Sequence, residues 1–127
     1  MKVVFDTSVV LAILNEEEGA DIGENHMGQA LLSVVNLAEV VTVLARRSNE
    51  SSIRTQIRPF ERKVTPYDQP LALQTGLLIP YTKDYGLSLG DRACLATAMA
   101  HKLPVLTADL VWRKLGDVLD IEVQVIR

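Results

Sequence analysis

The sequence predicts an α/β protein, a parallel sheet covered by helices on both faces. Two observations carry this reading. Short apolar runs alternate with segments of helical periodicity along all 127 residues, in the manner of successive βα units. Polar residues able to cap a helix stand where most of these runs end.

Taken in order, Met1 to Phe5 is a β-rich apolar run, short enough for a buried strand. Asp6-Thr7-Ser8 ends it, and any of the three can cap the helix that Val9 to Leu14 begins. Glu16-Glu17-Glu18-Gly19 stops that helix, and a polar connection with room for one short helix follows from Ala20 to Gly28. Ala30 to Val35 is the second apolar run, and Asn36 is a suitable cap for the next helix. In that helix Leu37, Val40, Val41 and Leu44 form an amphipathic stripe, interrupted by Glu39 in the first turn. The helix ends near Arg47, at Ser48-Asn49.

Ser51 to Phe60 reads as a further helix, with Ile53 and Ile57 inward, Arg54, Arg58 and Arg62 along a neighbouring face, and Pro59 weakening its end. Lys63-Val64-Thr65 is a brief strand, Asp68 caps a helix from Gln69 to about Leu78, and Pro80 breaks the region. A helix capped by Ser88 runs to about His101, with Asp91 spaced to reach back to the Ser88 backbone. Pro104 to Thr107 is a strand, Asp109 to Leu115 a short helix, and Ile121 to Ile126 an alternating last strand. With no internal repeat, low-complexity segment or linker, residues 1–127 read as one domain.

Bulk composition narrows the class further. A hydrophobic fraction of 48% with 23% charged residues is that of a globular protein with a full core. The one cysteine, Cys94, excludes an internal disulfide and a multi-cysteine zinc site, and its place inside a helix reads as an inert core thiol. No apolar run is long enough to span a bilayer and no signal peptide is visible, so a soluble, cytoplasmic protein is expected. The net charge of -3 is unevenly spread. Residues 1–45 hold one lysine against seven acids, whereas residues 46–63 hold six Lys or Arg against two Glu. That basic segment is either a surface for phosphate contact or a solvated helix face.

The chemistry is carried by four acids. In an open parallel sheet, ligands bind beyond the carboxyl ends of the strands, where strand order reverses. Asp6 follows the first strand, Glu39 lies a few residues past the second, Asp91 opens a helix, and Asp109 follows the strand that this helix feeds. Each has a local explanation as a cap or a first-turn acid. Converging, the four repel one another and require a cation. Oxygen donors without cysteine or paired histidine suit a hard divalent ion, Mg²⁺ or Mn²⁺, and such ions support phosphodiester hydrolysis.

Four stretches resemble the PIN-domain family, and within it the VapC-type toxins of prokaryotic toxin–antitoxin pairs. They are Val4-Phe5-Asp6-Thr7-Ser8, Ser33 through Val40, Gly86 through Ala98, and Leu106-Thr107-Ala108-Asp109. The segment Leu87 to Ala96 is the most specific of these, and the resemblance spans essentially the whole chain. It implies a three-layer α/β/α sandwich around a mainly parallel five-stranded sheet, and a Mg²⁺- or Mn²⁺-dependent endoribonuclease. It also implies a homodimer restrained by a cognate antitoxin. Carried over by position, Asp6, Glu39, Asp91 and Asp109 match the family's acidic quartet, with Asp6 and Asp91 as the most direct metal ligands. Ser8 and Thr107 match hydroxyls that orient a carboxylate or a metal-bound water. Arg92 is placed either to contact the scissile phosphate or to pair with a surface acid, and Arg54 and Arg58 are candidate RNA contacts.

Rival readings have less support. A haloacid-dehalogenase-like phosphatase needs a second Asp two residues after the first, where this chain has Ser8, and it lacks a well-placed lysine. The missing lysine also disfavours a receiver-like phosphoacceptor. A PIN-like module that only binds RNA or protein, and a solitary RNA-processing nuclease, are the remaining alternatives.

Overall fold

The computed structural model describes all residues, Met1–Arg127. Five strands, β1 (Val3–Phe5), β2 (Ala30–Ser33), β3 (Val64–Thr65), β4 (Val105–Thr107) and β5 (Val123–Val125), form one sheet in the order β3-β2-β1-β4-β5. Every pairing is parallel, so the expected mainly parallel sheet is wholly so. Strand order reverses at β1, where the chain has built outward to β3 and returns to place β4 on the other side.

The strands are short and apolar because both faces are covered. Val3, Phe5, Leu32 and Leu106 face one core with Val9 and Val10 of α1 (Thr7–Leu14), Val40 and Leu44 of α3 (Val34–Ala45), and Ile53 of α4 (Glu50–Ile57). A short helix α2 (Ala20–Asn25) packs against α1. Val4 and Val105 face the opposite core. There they meet Leu71 of α5 (Gln69–Leu77), Cys94 and Leu95 of α7 (Leu89–His101), and Leu115 of α8 (Arg113–Leu119). Between α5 and α7 lies the one-turn α6 (Ile79–Thr82). Val3 and Phe5 pointing one way and Val4 the other is the period-2 alternation of a strand, here filling two cores at once. Helix, sheet and helix layers make the α/β/α sandwich. Trp112 is fully buried in the second core.

The structure corrects several boundaries. Ser33, not Asn36, caps α3, its hydroxyl accepting from the Val35 N–H at 3.2 Å. The helix therefore starts three residues early, Glu39 falls in its second turn, and Asn36 is fully buried inside it. Asn49 caps α4, which ends at Ile57, and residues Arg58–Lys63 form a 3-10 helix with Pro59 in its first turn. Pro59 supplies no N–H, which an α-helix carried through this point would require. Pro80 does not break the chain but sits in the first turn of α6, where its missing N–H is not needed. Asp109 caps a 3-10 turn, Leu110–Trp112, before α8 begins, and the last strand is Val123–Val125.

Candidate active site

The switch point at β1 and β4 is where the acids gather. Asp6 ends β1 and caps α1, its Oδ1 accepting from the Thr7 N–H at 2.8 Å. Its Oδ2 accepts from the Ser8 hydroxyl at 2.7 Å and the Thr107 hydroxyl at 3.0 Å. These hydroxyls are themselves fixed to the end of β4. Ser8 Oγ accepts from the Ala108 N–H at 2.9 Å, and Thr107 Oγ1 from the Asp109 N–H at 3.0 Å. Asp6 is 3% exposed, and burial pushes its carboxyl up from 3.8 to about 6. The Ser8 and Thr107 hydroxyls oppose that rise, and the Asp91 charge adds to it.

Glu39 reaches the same edge from α3. Its Oε1 accepts from the Thr7 hydroxyl at 2.6 Å and from Asn36 Nδ2 at 2.8 Å. The same Asn36 amide lies 3.1 Å from Thr7 Oγ1 and donates to the Gly90 carbonyl, also at 3.1 Å, so it joins α1, α3 and α7. The carboxylate lies where position 90 has no side chain. A Cβ built on Gly90 would overlap all three atoms of the Glu39 carboxylate.

Asp91 forms the expected capping box. Its Oδ2 accepts from the Ser88 N–H at 2.9 Å, and its own N–H donates to Ser88 Oγ at 3.2 Å. Burial raises the Asp91 carboxyl, and the charges of Glu39 and Asp109 raise it further against the Ser88 hydrogen bonds. Asp109, exposed after β4, accepts from the Val111 N–H at 3.0 Å. The buried Cys94 thiol, beneath the site, is pushed well up, first by burial and then by the charges of Asp6, Asp91 and Glu39. It is a shielded core thiol, not a nucleophile.

The structure thus brings Asp6, Glu39, Asp91, Asp109, Ser8 and Thr107 to one sheet edge, and no cation of the chain pairs with the four acids. The two ion pairs lie elsewhere, Arg54–Glu50 and Arg127–Glu17. Hard oxygen donors with no cation of the chain paired to them fit a divalent cation in chemistry. No three of the chain's His, Cys, Asp or Glu side chains stand close enough together to form a ready-made cage. Asp91, folded back on Ser88, accepts from one backbone N–H, as do Asp6 and Asp109.

Arg92 pairs with no acid. Its Nη1 donates to the Thr75 carbonyl at 3.0 Å, tying α7 to α5, and its Nε is buried without a partner. Arg54 is exposed and bonded to Glu50 at 2.9 Å, and Arg58 is exposed in the following 3-10 helix. Sequence reasoning gave no site role to Thr7, Asn36 or Gly90. Asn36 stands three residues before Glu39, hence on the same helix face, a spacing that marks a partner. A glycine inside the first turn of a helix is about 1 kcal/mol less favourable than alanine, a sign of close approach.

These features define a PIN fold, and a family comparison agrees: residues 3–118 match the PIN domain model. The chain belongs to the PIN-domain family. A search of curated proteins finds no match. Among solved structures it is similar to DNA-bound VapBC from Salmonella typhimurium, at 18% identity and TM-score 0.75, covering 100% of this chain and 99% of that one. It is also similar to VapBC-5, a toxin–antitoxin system member from Mycobacterium tuberculosis, at 25% identity and TM-score 0.67, with 98% of each chain covered. FitAcB from Neisseria gonorrhoeae gives 22% identity and TM-score 0.68, with 98% of this chain and 97% of that one covered.

Proposed function

We propose that this protein is a divalent-metal-dependent endoribonuclease and the toxin of a VapBC-type pair, a cytoplasmic homodimer held inactive by a cognate antitoxin. The toxin–antitoxin part rests on the family and on structural neighbours that are themselves toxin–antitoxin complexes. The observation carrying the chemical part is the convergence of four carboxylates, unpaired with any cation, at the switch point of a parallel sheet.

Asp6 and Asp91, with Glu39 and Asp109, would hold Mg²⁺ or Mn²⁺. When bound, such an ion supplies charge neutralisation at the phosphate and a nucleophilic water at neutral pH. The remaining work belongs to the chain. Ser8 and Thr107 saturate Oδ2 of Asp6 and fix its plane, so the carboxylate cannot swing toward solvent. Ser88 holds Asp91 at the α7 N-terminus, where the helix dipole favours negative charge.

Glu39 borders an open surface cleft rather than an enclosed chamber. A shallow cleft of about 410 Å³ between α3 and the start of α7 is bordered by Glu39, Arg46 and Leu89. Openness of this kind suits a polymer backbone better than a small metabolite. The exposed Arg54 and Arg58 extend a basic segment for RNA, with Arg92 a further candidate only if its Thr75 bond is released. No helix is long and apolar enough to cross a membrane.

Incubating antitoxin-free protein with total cellular RNA in Mg²⁺, Mn²⁺ or EDTA tests this reading. Discrete metal-dependent products, absent with Asp91→Asn, are expected. No cleavage by demonstrably folded protein in either metal would replace it with a PIN module that only binds.

A further inference from the structure

Asn36 makes an unbalanced set of bonds. Its Nδ2 serves Glu39 Oε1 at 2.8 Å, Thr7 Oγ1 at 3.1 Å and the Gly90 carbonyl at 3.1 Å. Its Oδ1 is buried with no partner at all. A buried acceptor without a donor destabilises the fold relative to a satisfied one. An apolar residue of similar shape would avoid that penalty, because it has no acceptor to satisfy. The Gly90 carbonyl lies inside α7, where the helix provides it with another donor. The unpaired Oδ1 makes asparagine a costly choice for fold stability alone.

What the amide achieves is local to Glu39. Thr7 Oγ1 donates its proton to Oε1 at 2.6 Å and is left as an acceptor toward Asn36, so the three groups close a ring. Both protein bonds fall on Oε1, and Oε2 has none. Gly90 blocks retreat on the other side, since the carboxylate already lies against its Cα.

We propose that Asn36 is a positioning residue, which with Thr7 fixes Glu39 so that Oε1 is consumed by the protein and Oε2 alone is left for a divalent cation. This rests on the nuclease reading. It adds that Glu39 would offer one carboxylate oxygen to the cation, and that this depends on two uncharged side chains.

Mn²⁺ titration of the full-length protein, followed by electron paramagnetic resonance, provides the test, together with thermal unfolding of the same metal-free samples. Asn36→Leu keeps the bulk and deletes the donors, Thr7→Val deletes the hydroxyl, and Thr7→Ser restores it. Asn36→Leu is expected to raise the Mn²⁺ dissociation constant by roughly 10- to 100-fold while its unfolding midpoint stays at or above that of wild type. Thr7→Val is expected to weaken Mn²⁺ binding in the same sense, and Thr7→Ser to recover it. In a Glu39→Ala background Asn36→Leu should have no further effect on Mn²⁺ affinity. A lowered midpoint with unchanged Mn²⁺ affinity would make Asn36 structural and overturn the proposal. An effect that persists without Glu39 would also overturn it. Wild type that binds no Mn²⁺ would overturn the nuclease reading, and this inference with it, whereas wild-type binding unaffected by Asn36→Leu would overturn this inference alone.

Discussion

The carboxylate of Glu39 occupies the space that a side chain at position 90 would fill, so Gly90 and Glu39 are complementary parts of one site on two different helices. Gly90→Ala adds one methyl and has two opposing consequences. Alanine is the better helix former by about 1 kcal/mol, yet its Cβ must displace Glu39. The expected protein is folded, as read by circular dichroism, and reduced in RNA cleavage by about 100-fold, the effect of misplacing a reacting group by an ångström or so. Full activity in Gly90→Ala would show that Glu39 is not needed where it stands.

Asp6 makes the metal-free protein sensitive to pH in an unusual direction. Burial raises its carboxyl to about 6 in the fold, against an ordinary value of 3.8. Between these values the folded protein keeps a proton that the unfolded chain has released, so this group's contribution to stability falls as pH rises and levels off above the folded value. Ionising Asp6 at neutral pH opposes folding by on the order of 3 kcal/mol. In metal-free buffer, Asp6→Asn should unfold at a higher temperature than wild type at about pH 7.5, with the difference vanishing below about pH 4. Added Mn²⁺ should raise the midpoint of wild type and not that of Asp6→Asn. A difference independent of pH would contradict the assignment.

The hydroxyls on Asp6 oppose this penalty by bonding the charged form. Thr107→Val preserves shape and removes a buried donor 3.0 Å from Oδ2. Urea unfolding at neutral pH should show a loss of about 2 kcal/mol, the usual range for a hydrogen bond to a charged group. In the Asp6→Asn background the loss should be smaller, because the charge is gone. An undiminished loss there would mean that Thr107 acts mainly through the Asp109 N–H it also holds.

The arginines separate into two kinds. Arg54 forms an exposed pair with Glu50, both side chains more than two-thirds accessible, which contributes almost nothing to stability. Arg54→Glu with Arg58→Glu should leave the unfolding midpoint unchanged and lower RNA affinity, with a shallower salt dependence. Antitoxin affinity, measured separately, reports whether a protein partner uses the same face. Arg92→Met should instead lower the midpoint, because the Thr75 link between α5 and α7 is lost.

Much of this was legible in the sequence because it depends on local rules. Short apolar runs placed the strands, and the Ser88–Asp91 spacing gave the capping box. Asp6, Asp91 and Asp109 follow or open regular elements and Glu39 lies in the second turn of the helix after β2, so topology carried them to one edge. What local rules could not supply was contact between distant segments. Asn36 is a good cap by residue type, but Ser33 satisfied the α3 N-terminus first and left Asn36 to point into the site. Thr7 beside Asp6 reads as capping, and only the packing of α1 on α3 gives it Glu39 as a partner, 32 residues away. Arg92, next to an acid at a helix start, reads as either a phosphate contact or a partner for a surface acid, and only the packing of α5 on α7 gives it the Thr75 carbonyl.

Crystals of the antitoxin-free protein grown with Mn²⁺ and measured for anomalous scattering would settle whether the four acids form one cation site. An anomalous peak contacting Asp6 and Asp91, with Asp91 turned off its Ser88 N–H and Glu39 approaching through Oε2, is the predicted result. Mn²⁺ bound elsewhere on a protein that cleaves RNA, or no peak at saturating Mn²⁺, would contradict it.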